Sequence, residues 1–291
     1  MGQTNSRQQG KNNSLGETKT TSLLAADDPP AVEIRHGSAA CPFVILVDHA
    51  GRAIPRRLGR LGLGEADLAR HIAWDIGAGA TAALLAARLD APLVAQAYSR
   101  LVIDCNRRPG HPTSVAEVSD LTAVPGNQAL DAAQRGARER EIFDPYHARI
   151  AGLLDERRDA GLPSVLVALH SFTPRLADPA RPSAGGAGLR PWHIGLLYNR
   201  DARLARILFD LLGGEAGLVV GDNEPYQLSD LDDYTVPLHG EARGLPHVEI
   251  ELRQDLIEGP AGQAEWAERL ARLLGAAWPR LAGTAPGSAP G

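Results

Sequence analysis

The chain has 291 residues, 44% of them hydrophobic and 22% charged, with a formal net charge of -5. That is enough apolar material for one sizeable core, and so mild an acidity gives no support to nucleic-acid binding. Two cysteines, Cys41 and Cys105, with no CxxC spacing exclude a disulfide framework, and no apolar run approaches the length of a membrane span.

Residues 1 to about 30 are polar and rich in Gly, Asn, Ser and Thr. A disordered tail is expected there. The tail has no apolar segment of the kind a secretory leader needs, so a cytoplasmic location is expected. Residues 31–281 read as one domain, and residues 282–291 as a second flexible tail. "PFVILV" reads as a buried strand ending in Asp48-His49. In the stretch from Leu63 to Asp90, apolar residues recur at three- and four-residue steps, which predicts one or two helices. "APLVAQAYSRLVIDCN" supplies one or two strands, ending in Asp104-Cys105-Asn106-Arg107. A helix follows over residues 131–160, with Ile142, Tyr146, Ile150 and Leu154 spaced by four. "PSVLVAL" is a second buried strand, ending in His170-Ser171; "WHIGLLYN" is a third. "DARLARILFDLLGG" is a helix closed by glycines. "GLVVGD" and "HVEIEL" read as strands, and "AEWAERLARLLGAAW" as the closing helix. Strands alternating with helices predict an α/β domain with a largely parallel sheet.

Polar residues gather where these strands end, and in open α/β sheets ligands bind outside the carboxyl ends of strands. His49 and His170 follow two strongly apolar strands, and imidazole suits Zn²⁺, whose catalytic sites use three protein ligands and one open position. The third ligand should be a carboxylate. Asp75, in an otherwise apolar helical stretch, is the first choice, because an unpaired acid there would be costly. Asp48 is the alternative, better suited to supporting a histidine from behind. His71 is expected to pack or hydrogen-bond rather than to ligate. In "VEIEL" the alternation puts Glu249 and Glu251 on one strand face. Glu251 is the candidate general base, although the pattern does not distinguish which of the two faces a pocket. Arg107 with Asn106 would hold a substrate carboxylate, and Arg100 either assists or pairs with Asp104. Asn223, in the "DNEPY" loop, and His239, before the last strand, are further candidate substrate contacts. Cys105 reads as a small buried filler. No P-loop, GxGxxG or Gly-x-Ser-x-Gly elbow is present, so nucleotide binding and serine hydrolysis have no support.

Taken in order, "DHAGRAIPRRLGRLGL", "HIAWDIGA", "YSRLVIDCNRRP", "LHSFTP", "RPWHIGLLYNRD", "DNEPY" and "HGEARGLPHVEIELRQDL" resemble the N-formylglutamate amidohydrolase family. The resemblance runs over about residues 43–275. It implies kinship with zinc carboxypeptidases and aspartoacylases, hence a phosphorylase/hydrolase-like three-layer α/β/α sandwich with a mixed, mostly parallel sheet. It further implies hydrolysis of a carbon–nitrogen bond in a linear amide, the founding reaction giving glutamate and formate. His49 and His170 then correspond to metal-site histidines, Asn106 and Arg107 to a carboxylate-holding pair, and Glu251 to the general base. Zinc is the expected cofactor, and a small anionic amide the expected partner, with no nucleic acid or membrane. The pattern departs from the wider group at Arg52, which stands three residues after His49, where zinc carboxypeptidases and aspartoacylases carry a Glu ligand. Two rival readings follow: another small anionic amide as substrate, or a non-catalytic binding protein that keeps the fold.

Overall fold

The computed structural model describes residue 1, residues 22–175 and residues 189–283. The strands are β1 (Val32–Arg35), β2 (Phe43–Val47), β3 (Leu93–Gln96), β4 (Val118–Ser119), β5 (Thr122–Ala123), β6 (Val165–Phe172), β7 (Ile194–Leu197), β8 (Val220–Asp222) and β9 (His247–Arg253). The α-helices are α1 (Glu65–Leu68), α2 (Ala78–Leu89), α3 (Ala132–Arg138), α4 (Asp144–Asp159), α5 (Arg203–Leu212) and α6 (Pro260–Ala282). Seven strands form one sheet in the order β1-β3-β2-β6-β9-β7-β8, while β4 and β5 make a separate hairpin.

The central strands β3, β2, β6 and β9 are parallel. β1 runs antiparallel to β3, and β7 antiparallel to β9. β8 is parallel to β7, so both run against the central four. The sheet is therefore mixed and mostly parallel.

The apolar runs of β2, β6 and β9 serve two faces because successive side chains alternate. Phe43, Ile45 and Val47 of β2, Val165, Val167 and Leu169 of β6, and Val248, Ile250 and Leu252 of β9 share one core with α2, α5 and α6. Val44 and Leu46 point the other way, into a second core with Ile142, Tyr146, Ile150 and Leu154. Those four residues keep the spacing of the predicted helix, but the run is two α-helices joined by a π-turn at Glu139–Phe143. Helices thus cover both faces, which completes the three layers.

The second face carries the chemistry. By the same alternation, Asp48 continues the row Val44–Leu46, His170 the row Leu166–Ala168, and Glu249 and Glu251 the remaining row of β9.

Three expectations change. "YSRLVID" is not a strand: β3 stops at Gln96 and turns follow. Asp75 lies in the connection before α2, not on a helix. At the N-terminus, residues 22–30 lie against the body: Leu23 is buried, the backbone N–H groups of Leu23 and Leu24 donate to the Glu141 carboxylate, and Pro29 O accepts from the Tyr98 hydroxyl. The rest of the two expected tails lies outside the described residues, apart from residues 1, 282 and 283.

Candidate active site

β2 ends at Val47 and delivers Asp48 and His49 to the mouth of the sheet. β6 delivers His170 beside them, and the loop before α2 folds across so that Asp75 N donates to His49 O at 3.0 Å. His49, Asp75 and His170 then offer ligand atoms that all lie within 4.8 Å of one another, and all three are buried. The imidazole rings stand edge to face, 5.1 Å apart.

The orientation of each ring follows from its second nitrogen. His49 Nε2 lies 2.7 Å from Asp104 Oδ1, a carboxylate oxygen that only accepts, so Nε2 carries the proton. His49 Nδ1 then turns a lone pair toward Asp75 Oδ2, at 3.3 Å. His170 Nδ1 reaches the same oxygen at 2.9 Å, while its Nε2 lies 3.3 Å from Asp48 Oδ2 and 4.0 Å from Glu249 Oε2. A carboxylate behind the second nitrogen, as Asp104 stands behind His49, is the pattern by which proteins orient metal-binding histidines; His170 Nε2 has no hydrogen-bond partner among the described residues. Ligand atoms about 2.0–2.2 Å from a tetrahedral zinc stand roughly 3.3–3.6 Å apart; the His49 contact to Asp75 matches this, and the His170 contact is shorter. A buried carboxylate facing two imidazoles calls for positive charge, from a metal or from protons on the rings. The residues fit a divalent metal.

The charges agree. Burial and Arg100 oppose protonation of His49, yet Asp104 and Asp75 raise its pKa above the ordinary value. His170 is raised well above its own, because Glu249, Asp48 and Asp75 outweigh the burial. Asp75 is held below the usual carboxylate range: burial pushes it up, and the two histidines more than compensate. Asp48 is likewise held at about 2 against burial by His170, His49 and the Thr235 hydroxyl, which donates to Oδ1 at 2.8 Å.

Glu251 pairs in register with His170, whereas Glu249 pairs with Ala168, two residues deeper in the sheet. Glu251 is therefore the nearer of the two to the mouth. Burial, with help from Asp75, lifts its carboxyl to about 7 against His170, Arg190 and Arg100. Burial pushes Glu249 well above the usual range. One oxygen of each has no hydrogen-bond partner among the described residues.

Arg100 forms the ion pair with Asp104, Nη2 to Oδ2 at 2.6 Å, and also reaches Asp75 Oδ1 at 3.5 Å. It stands at the rim of the triad. Asn106 does not present its amide to a ligand. Its Oδ1 accepts from the backbone N–H groups of Tyr234 and Thr235, both at 3.0 Å, and its Nδ2 donates to Asp233 at 3.2 Å. Arg107 also pairs with Asp233, at 3.3 Å. Together they fasten the loop that supplies Thr235.

Asn223 and His239 are not brought to the triad either. Asn223 follows β8, and because β8 runs against β9 its end lies at the opposite edge of the sheet. The Asn223 side chain instead accepts from the Tyr198 N–H at 2.9 Å. His239 is stacked on His147, rings 5.2 Å apart, with its Nε2 3.0 Å from His147 Nδ1. His71 pairs with Asp120 at 3.3 Å, and Cys105 is fully buried. Arg52 sits outside, paired with Glu65 at 3.3 Å, and the acid missing after His49 is supplied by Asp75.

Residues 41–258 match the N-formylglutamate amidohydrolase family. The chain belongs to that family. Membership places it among hydrolases acting on amide bonds. The crystal structure of gene product Atu2144 from Agrobacterium tumefaciens superposes with a TM-score of 0.82 at 37% identity, over 89% of this chain and 99% of that one. An N-formylglutamate amidohydrolase from Ralstonia eutropha JMP134 shares the fold, with a TM-score of 0.54 at 21% identity, over 88% of this chain and 100% of that one. A comparison with curated proteins finds no match. In the amidohydrolase frame, Arg190 and Tyr226 are residues that the sequence reading did not single out. Both lie in motifs that carry the resemblance, "RPWHIGLLYNRD" and "DNEPY", and strand direction is what brings Arg190 to the mouth.

Proposed function

We propose that this family member is a metal-dependent hydrolase, with zinc at His49, Asp75 and His170, that cleaves the amide of a small N-formyl or N-acyl amino acid in the cytoplasm. N-formylglutamate, giving glutamate and formate, is the leading substrate. The observation that carries the reading is the convergence of two buried imidazoles and one buried carboxylate beside a buried, partner-poor Glu251.

A bound zinc would supply Lewis-acid polarisation and make water more acidic. The protein's own groups do the rest. Glu251, with a carboxyl at about 7, is poised to take a proton from the attacking water and return it to the departing nitrogen. As the C–N bond breaks, the nitrogen leaves as an amine and the acyl carbon as a carboxylate. Arg100, fixed by Asp104 and Asp75, presents a guanidinium to the negative charge that develops on the carbonyl oxygen. Asp104 keeps the His49 imidazole turned toward Asp75.

The test is a zinc assay on purified protein together with amine release from N-formylglutamate, N-formylaspartate, N-acetylaspartate and simple N-acyl amino acids. Glu251→Gln should keep its zinc and lose about 10²–10⁴ in rate. Full activity of that variant would remove Glu251 from the reaction. Zinc content far below one per chain, unrestored by added zinc, would favour a binding protein.

A further inference from the structure

The pair expected to hold the substrate carboxylate, Asn106 and Arg107, is engaged with the 233–235 loop. A different guanidinium is available. Arg190 immediately precedes β7, and because β7 is antiparallel to β9, the start of β7 lies beside the end of β9. Ile194 is registered with Leu252, and Arg253 N donates to His193 O at 3.1 Å. The approach to β7 is also tied to the exit of β6, since Arg190 N donates to Pro174 O at 3.0 Å and Leu189 bridges Arg175. Arg190 thus reaches the same edge as His170 and Glu251.

Its side chain is built in rather than loose. Arg190 is 4% exposed. The guanidinium lies 4.7 Å over the Tyr226 ring and 5.6 Å over the Phe172 ring, so stacking fixes its plane. Nη1 makes a long bond of 3.4 Å to Thr173 O. Among the described residues no carboxylate stands within ion-pair distance of it, in a chain where Arg100 and Arg107 both have one. A guanidinium has five N–H donors, and a buried cation with no ion-pair partner among the described residues is costly. Glu251, His71 and Tyr226 all feel the charge of Arg190, in keeping with its place beside the end of β9. Tyr226, on which the guanidinium stacks, is 42% exposed.

We propose that Arg190 is the carboxylate anchor of the substrate pocket, held flat by Tyr226 and Phe172 so that its free donors grip the carboxylate of the acyl amino acid. The role in turnover rests on the amidohydrolase reading; the binding of a carboxylate does not. The anchor orients the substrate with its amide toward the triad and Glu251, and Arg107 serves the loop instead.

Calorimetric titration with glutarate, and with glutaramide as its uncharged counterpart, tests the anchor directly. Wild-type protein should bind glutarate and not glutaramide. Arg190→Gln should weaken glutarate binding by about 10- to 100-fold, and Arg190→Lys, which keeps the charge and loses the fork, by less. Arg107→Gln should bind glutarate as wild type does. A circular-dichroism melt of each variant checks folding, and the graded response of the lysine variant decides if the glutamine variant does not fold. The proposal is overturned if wild type binds no glutarate, if Arg190→Gln or Arg190→Lys binds it undiminished, or if Arg107→Gln is the variant that loses it. In turnover, Arg190→Gln should raise KM for N-formylglutamate and leave cleavage of its diamide analogue unchanged. Equal loss on both would mean a merely structural arginine. Arginine-dependent glutarate binding without hydrolysis of any amide would instead sink the amidohydrolase reading and leave the anchor standing.

Discussion

Asp104→Asn keeps the size of a side chain and removes its charge at the point where three parts of the site meet. Asp104 Oδ1 accepts from His49 Nε2 at 2.7 Å and from Asn106 N at 2.9 Å, and Oδ2 accepts from Arg100 Nη2 at 2.6 Å and Nε at 3.1 Å. An amide has one oxygen, so on one side N–H must face N–H. Removing one partner of a buried ion pair costs about 3–5 kcal/mol. Arg100 is 28% exposed and keeps Asp75 Oδ1 at 3.5 Å, so solvent and the second acid reduce the loss to about 2–3 kcal/mol. At roughly 2–4 °C per kcal/mol for a domain of this size, Tm should fall by about 4–12 °C. The loss of the carboxylate behind His49 should also weaken zinc about 10–100-fold, which is about 1.4–2.7 kcal/mol. Thermal unfolding of the metal-free protein reads the first effect, and competition with a chromophoric chelator reads the second. An unchanged Tm together with unchanged zinc affinity would refute the idea that Asp104 holds His49 in its ligating orientation.

Gly195→Ala would place a Cβ 1.9 Å from Glu224 O and 3.3 Å from Pro225 Cδ, so the crossing chain must move. Overpacking of this kind costs about 1–3 kcal/mol, and Tm should drop by roughly 2–12 °C. Because that crossing carries Tyr226, KM for an anionic substrate should rise as well; an unaltered Tm would contradict the close approach. The stacked histidines predict a pH effect. His147 Nε2 must donate to Cys105 O at 2.9 Å, so its Nδ1 accepts from His239 Nε2, and burial lowers the His239 pKa to about 3. The unfolded chain takes up that proton near ~6.5, so stability is full above that pH and declines by up to about 1.4 kcal/mol per unit as pH falls toward the folded value. His239→Gln keeps a donor near the Nε2 position and removes the titration. Its urea-unfolding stability should depend less steeply on pH between about 6.5 and 4 than that of wild type, and parallel profiles would count against the assignment.

Much of the fold was legible because β2, β6 and β9 are short apolar runs whose ends carry His49, His170 and Glu251. Burial of both faces leaves that pattern little freedom. Strand direction was not legible. "IGLL" and "VGD" read the same in either orientation, so Asn223 looked like a mouth residue while Arg190, ahead of a strand, did not. Asp75 was found through the cost of a buried acid, although the predicted helix around it is a loop. The roles of Asn106 and Arg107 were hidden for another reason. Their partners, at residues 233–235, are more than a hundred positions away, and local spacing carries no trace of them.

Reversal of β7 has a consequence for how such a site can diversify. The described ends of the β6–β7 connection, residues 173–175 and 189–190, meet at the same edge of the sheet as Glu251, and neither belongs to the triad. The Arg190 side chain can therefore be exchanged while His49, Asp75, His170 and Glu251 stay fixed on other elements.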